Sequence, residues 1–83
     1  MIDVKEAAQR ANQYLQGLIS NITNITLEEV ELTDDEQFWL ITLSGYSIAA
    51  GVQSLFGATD KVFKIFKIKR DNGEVVSMKI RIV

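Results

Sequence analysis

Only one stretch of this chain sustains apolar residues at helical spacing, and it comes first. Val4, Ala7, Ala8, Ala11, Leu15, Leu18 and Ile19 recur three or four positions apart, which gathers them on one face of an α-helix. The spacing predicts a helix over about 3–20. Asp3 is its expected N-cap, with Glu6 three residues on to return a hydrogen bond to the cap backbone. The following "SNITNIT" ends it, because β-branched and Asn residues favour extended chain or turns. The Asn-x-Thr triplets at Asn21 and Asn24 read as a polar turn.

The rest of the chain favours strands. "TLEEVELT" predicts a strand over about 26–33 with Val30 and Leu32 inward, and "DDEQ" a polar loop. The near-unbroken "FWLITLSGY" predicts a central strand over about 37–46, with Trp39, Ile41 and Leu43 on one face and Phe38 and Leu40 on the other. Strands are also expected over 61–69 and 74–82. In "VFKIFKI" the alternation breaks between Ile65 and Phe66, which implies a bulge or apolar contacts on both faces. In the last strand Val76, Met78, Ile80 and Ile82 are expected inward, alternating with Ser77, Lys79 and Arg81. Asn72-Gly73 has the residue types for the positive φ angles of a tight hairpin. Between the two strand pairs, "SGYSIAAGVQSLFGATD" at 44–60 is too apolar for a solvated loop, so it extends the strands into an arm or folds over the sheet. With 83 residues there is room for one core. The expected fold is α+β: one N-terminal helix packed on a four-stranded antiparallel sheet, in the order α-β-β-β-β.

The residue inventory narrows the chemistry. There is no His and no Cys, which removes the usual general base at neutral pH, the strongest nucleophile, disulfides and imidazole or thiolate metal sites. An enzyme is not expected, nor a cofactor or a metal. Glu28, Glu29, Glu31, Asp34, Asp35 and Glu36 crowd one hairpin; a pair of them could do acid–base work or hold a hard cation, but charges at an edge strand more often guard it against pairing. Charge is also segregated. Residues 1–60 hold two basic and nine acidic side chains, net −7, and residues 61–83 hold seven basic and two acidic, net +5. Lys61, Lys64, Lys67, Lys69, Arg70, Lys79 and Arg81 could form a nucleic-acid stripe with Phe63 or Phe66 stacking on bases, or could pair across the sheet with the acidic strand. A pI near 5.0 weighs against nucleic acid. Neither a leader-like apolar stretch nor a membrane-length one is present, so the expected location is the cytoplasm, with no membrane partner.

The helix "VKEAAQRA", the strands "LEEVEL" and "FWLITLSG", and the hairpin "FKIFKIKRDNGEVV" with its Asn72-Gly73-Glu74-Val75-Val76 turn resemble the PepSY-like and cystatin-like group of small bacterial α+β domains. Gln53-x-Leu55-x-Gly57 is similar to the Gln-x-Val-x-Gly loop with which cystatins enter a cysteine-protease cleft. The resemblance implies a non-enzymatic binding module, one that restrains a peptidase or regulates another partner. Two surfaces are candidates. One is the open sheet face, where Phe38, Leu40 and Phe66 or Phe63, with Val75, make a patch that a partner or a second copy would cover. The other is the 44–60 arm, with Ile48, Val52, Gln53, Leu55 and Phe56. The expected partner is another protein or a second copy in a homodimer. The alternatives are a small-ligand or catalytic pocket between helix and sheet, containing Tyr14 or an inward Glu, and nucleic-acid binding by the basic hairpin.

Overall fold

The computed structural model describes residues 1–19, 21–48 and 59–81. Helix α1 spans Val4–Leu18, and strands β1 (Ile22–Leu32), β2 (Phe38–Ile48), β3 (Thr59–Lys69) and β4 (Val75–Ile80) come after it. The strands lie antiparallel in chain order, β1-β2-β3-β4, and α1 packs on one face of the sheet. This is the expected α+β arrangement.

Asp3 starts α1 as anticipated: its carboxylate accepts the Glu6 N–H at 2.9 Å. The return bond expected from Glu6 gives way to an ion pair with Arg10, 3.0 Å away and one turn on. Ala7, Ala11 and Leu15 form the buried face. They meet Ile41, Leu43, Phe66 and Ile68, with Ile2 closing the cluster beside the helix start. Burying a side chain of the Leu, Ile or Phe class contributes roughly 1.5–3 kcal/mol, so this apolar contact outweighs any single polar tie. The segment before the helix is fastened at both backbone groups of Ile2. Its N–H donates to the Arg70 carbonyl at 2.8 Å, and its carbonyl accepts the Trp39 indole N–H at 3.2 Å.

Strand β1 starts earlier than the alternation suggested. Asn21–Thr26, read as a polar turn, lies almost wholly within it, because Ile22 and Ile25 both pack against the core. Those two residues are three apart, and a strand keeps them on one face only by bulging between them. The register slips between Thr23 and Thr26, where Asn24 has φ 54°, and slips again between Leu27 and Glu29. That second bulge puts both Leu27 and Val30 on the helix side, opposite Leu43 and Ile41, and turns the consecutive Glu28 and Glu29 to the other face.

Strands β2 and β3 pair without interruption from Phe38 opposite Lys69 to Ile48 opposite Thr59. The two ends of the 44–60 segment therefore lengthen the hairpin; residues 49–58 lie outside the described residues. No bulge occurs in β3 against β2, so "VFKIFKI" has apolar contacts on both faces. Phe63 and Ile65 lie on the open side, and Phe66 and Ile68 lie under the helix. Strand β4 corrects the expected inward set. Val75 sits opposite Ile68 and packs on the core, and the register slips at Val76, which is exposed; Met78 faces in. Ile80 shares the helix side but lies beyond its cover, 73% exposed. The preceding turn needs one left-handed residue, not two: Gly73 has φ 79°, its N–H donates to the Lys69 carbonyl, and the Asn72 side chain accepts the Glu74 N–H at 2.9 Å.

Candidate binding surface

The open sheet face is covered by its own long side chains. The Lys67 ammonium lies 4.3 Å from the Phe38 ring centre, and Lys61 lies 5.2 Å from that of Phe63 and 5.9 Å from that of Tyr46. The Ser44 hydroxyl donates to Glu28 at 2.6 Å, which also faces Lys61 at 3.9 Å. Glu29 on β1 and Arg81 just past β4 join in an ion pair, which requires the two chains to reach toward each other across β2 and β3. Beneath this cover Thr42 and Ser44 are buried, and a shallow depression of about 220 Å³ remains between Glu29, Glu31, Leu40, Thr42, Ile65 and Arg81. The aliphatic stems of such residues shield apolar surface while their heads stay wet.

Of the surface residues inferred from sequence, Phe38 and Leu40 share this face and are half-buried. Phe66 is not on it. It is 0% exposed, on the opposite side, with its ring edge-on to Tyr14 at 6.1 Å, because β3 keeps strict alternation and Phe66 falls in the row of Ile41. Val75 is likewise on the helix side. Ile48 ends β2, and Val52, Gln53, Leu55 and Phe56 lie outside the described residues.

The charged residues are interleaved. Lys69 pairs with Glu74 at 3.4 Å and Arg70 with Glu36 at 3.5 Å, besides Lys61 with Glu28 and Arg81 with Glu29. Lys64 falls on the helix side, in the row of Leu43. Asp35 accepts the Thr33 hydroxyl at 2.6 Å and the Gln37 N–H at 3.0 Å; the Thr33 bond, more than any other contact, holds its carboxyl below the ordinary 3.8. Among the described residues no three acidic groups converge as metal ligands. No helix there is long and apolar enough to cross a membrane.

A second surface escaped the sequence reading. Helix α1 leaves β1 partly uncovered, and a groove of about 510 Å³ opens between Val4, Lys5, Ala8, Gln9 and Asn12 on the helix and Ile25, Leu27 and Leu43 on the sheet. Leu27 is 48% and Val30 39% exposed on this side. The outer edge of β1 has no neighbouring strand among the described residues, and Glu29 and Glu31 line the other face of that edge. Glu31 has no ion pair among the described residues. The signal was present in "LEEVEL": Leu27 and Val30 are three apart, so a strand that turns both to one face must bulge.

Comparison of the chain with protein-family models, with curated proteins and with solved structures gives no match.

Proposed function

We propose that this chain is a non-enzymatic protein-binding module that takes up an extended segment along β1. The observation carrying this reading is the coincidence of a strand edge that has no neighbouring strand among the described residues with an apolar groove on one face and acidic side chains on the other. Such an edge supplies backbone hydrogen bonds to an added strand, and alternate side chains of that strand fall to opposite faces. The matching partner alternates apolar residues, directed to Leu27 and Val30, with basic residues, directed to Glu29 and Glu31. A regulatory role, including restraint of a peptidase, agrees with the PepSY-like and cystatin-like resemblance.

A pocket reading has less support. The core under α1 is filled by aliphatic and aromatic side chains, and the groove at its β1 margin is lined by neither Tyr14 nor a glutamate: Tyr14 is 41% exposed, and the glutamates of β1 stand away from the helix. Titration of the isotope-labelled chain with a six-residue peptide alternating valine and lysine tests the proposal. Amide shifts confined to β1 and the facing side of α1, lost in Leu27→Asp and absent with a valine–glutamate peptide, are expected. Equal response to both peptides, or shifts centred elsewhere, refutes it.

A further inference from the structure

The two edges of the sheet match each other. On β4, Met78 and Ile80 lie on the helix side and Lys79 lies on the open side, joined there by Arg81 just past the strand. On β1, Val30 and Leu32 lie on the helix side and Glu29 and Glu31 on the open side. We infer that the β4 edge of a second copy of this chain is the segment that occupies the β1 edge, giving head-to-tail assembly of a continuous sheet. The inference rests on the proposed binding at β1 and names the partner.

Charge selects this pairing over its rivals. Two β1 edges brought together oppose glutamates to glutamates, and two β4 edges oppose cations to cations; like charges directly opposite across a strand pair are destabilising. The mixed pair aligns them favourably. With Val30 opposite Ile80 of the next copy, antiparallel pairing sets Glu29 opposite Arg81, Glu31 opposite Lys79 and Leu32 opposite Met78. These stretches are also the regular ones: the bulges fall before Glu29 in β1 and at Val76 in β4. Ile80, 73% exposed on the single chain, gains cover on the side where Leu27 and Val30 are uncovered. The Glu29–Arg81 pair that now spans the sheet would be replaced by one between adjacent strands. Because the two joined surfaces differ, each added copy leaves one edge of each kind free.

Sedimentation velocity across a wide concentration range tests this with Glu31→Lys and Lys79→Glu. Both are exposed and neither takes part in an ion pair among the described residues of the single chain. Wild type is expected to grow past the dimer as concentration rises. Each single variant should weaken association roughly tenfold, as expected when an attractive cross-strand pair becomes repulsive. The double variant, and an equimolar mixture of the two singles, should restore it. A wild-type chain that stays monomeric, or an association indifferent to Lys79→Glu, overturns the inference. Either result leaves the peptide titration to decide the binding at β1 by itself.

Discussion

Phe63 and Phe66 are three residues apart on β3 and lie on opposite faces of the sheet, so the same chemical change at each has opposite consequences. Phe66 has no solvent exposure; a hydroxyl added to its ring in Phe66→Tyr enters an apolar cluster of Leu15, Ile41 and Ile68. An unsatisfied buried hydroxyl costs about 1–3 kcal/mol. A chain of this length has stability on the order of 4–12 kcal/mol, so the loss is a large share of the total. It should lower Tm by roughly 4–8 °C for each kcal/mol. Phe63 lies on the open face beneath the Lys61 ammonium, where a phenolic hydroxyl can reach water, and Phe63→Tyr should change stability by no more than about 0.5 kcal/mol. Thermal and urea unfolding followed by circular dichroism measure both. Equal losses would contradict the difference between the two faces, and a larger loss at Phe63 would show that the face assignment of β3 is inverted and that Phe66 does not belong to the core.

Three further outcomes are expected from local geometry. Gly73→Ala should cost about 1–2 kcal/mol, the penalty of a side chain in left-handed backbone, because φ is 79° and the new Cβ would stand 3.1 Å from Arg10 Cζ; an unchanged urea midpoint would contradict the turn. Asp3→Ala should cost about 1 kcal/mol and Asp3→Ser much less, since only the latter keeps a cap for the Glu6 N–H; equal losses would mean the cap is irrelevant. Asp35 should titrate below 3.8, and Thr33→Val should raise its midpoint, because the Thr33 hydroxyl is the main cause of the depression. The folded carboxyl being the stronger acid, Asp35 stabilises the fold above its unfolded pKa and loses that contribution as pH falls through the folded value; a carboxyl midpoint at or above 3.8 by NMR would refute the assignment.

The helix, its cap, the antiparallel order and the two faces of β2 were legible in the sequence, because each depends on spacing within one segment. The features that were misread depend on interruptions of that spacing. Strand β1 carries Ile22, Ile25, Leu27, Val30 and Leu32 toward the helix side, at intervals of three, two, three and two. A search for strict alternation recovers Val30 and Leu32 and discards the rest; each interval of three is a bulge. Val75 and Met78 repeat the case in β4. Strand β3 left a choice that spacing does not settle. Its alternation is regular, but Lys64 occupies a helix-side position and Ile65 an open one, so residue type allowed either a bulge or apolar contacts on both faces, and the second is what the strand has. The open face looked apolar because Phe66 and Val75 were counted on it, although both lie on the helix side, and because one-dimensional spacing does not show that the long side chains of Lys61 and Lys67 on that face end over Phe63 and Phe38.

The uncovered row on β1 arises from the proportions of the fold. A helix with its side chains is about 10–12 Å across, whereas the outermost axes of four strands spaced about 4.8 Å apart lie about 14 Å from each other, before side chains are added. One helix therefore cannot roof every row of apolar residues. Small residues decide where the shortfall goes. Ala7 and Ala11 seat α1 closely in the apolar cluster that contains Ile41 and Phe66, and short side chains on the helix reach less far over the rows beside it. Enlarging Ala8, which lines the groove, to Leu would extend the roof toward β1 without displacing the buried alanines. If the seam at β1 is a binding surface, that substitution should leave the fold at least as stable while abolishing strand uptake; if the seam is only a gap in packing, stability should rise and binding to every probe should stay as it was.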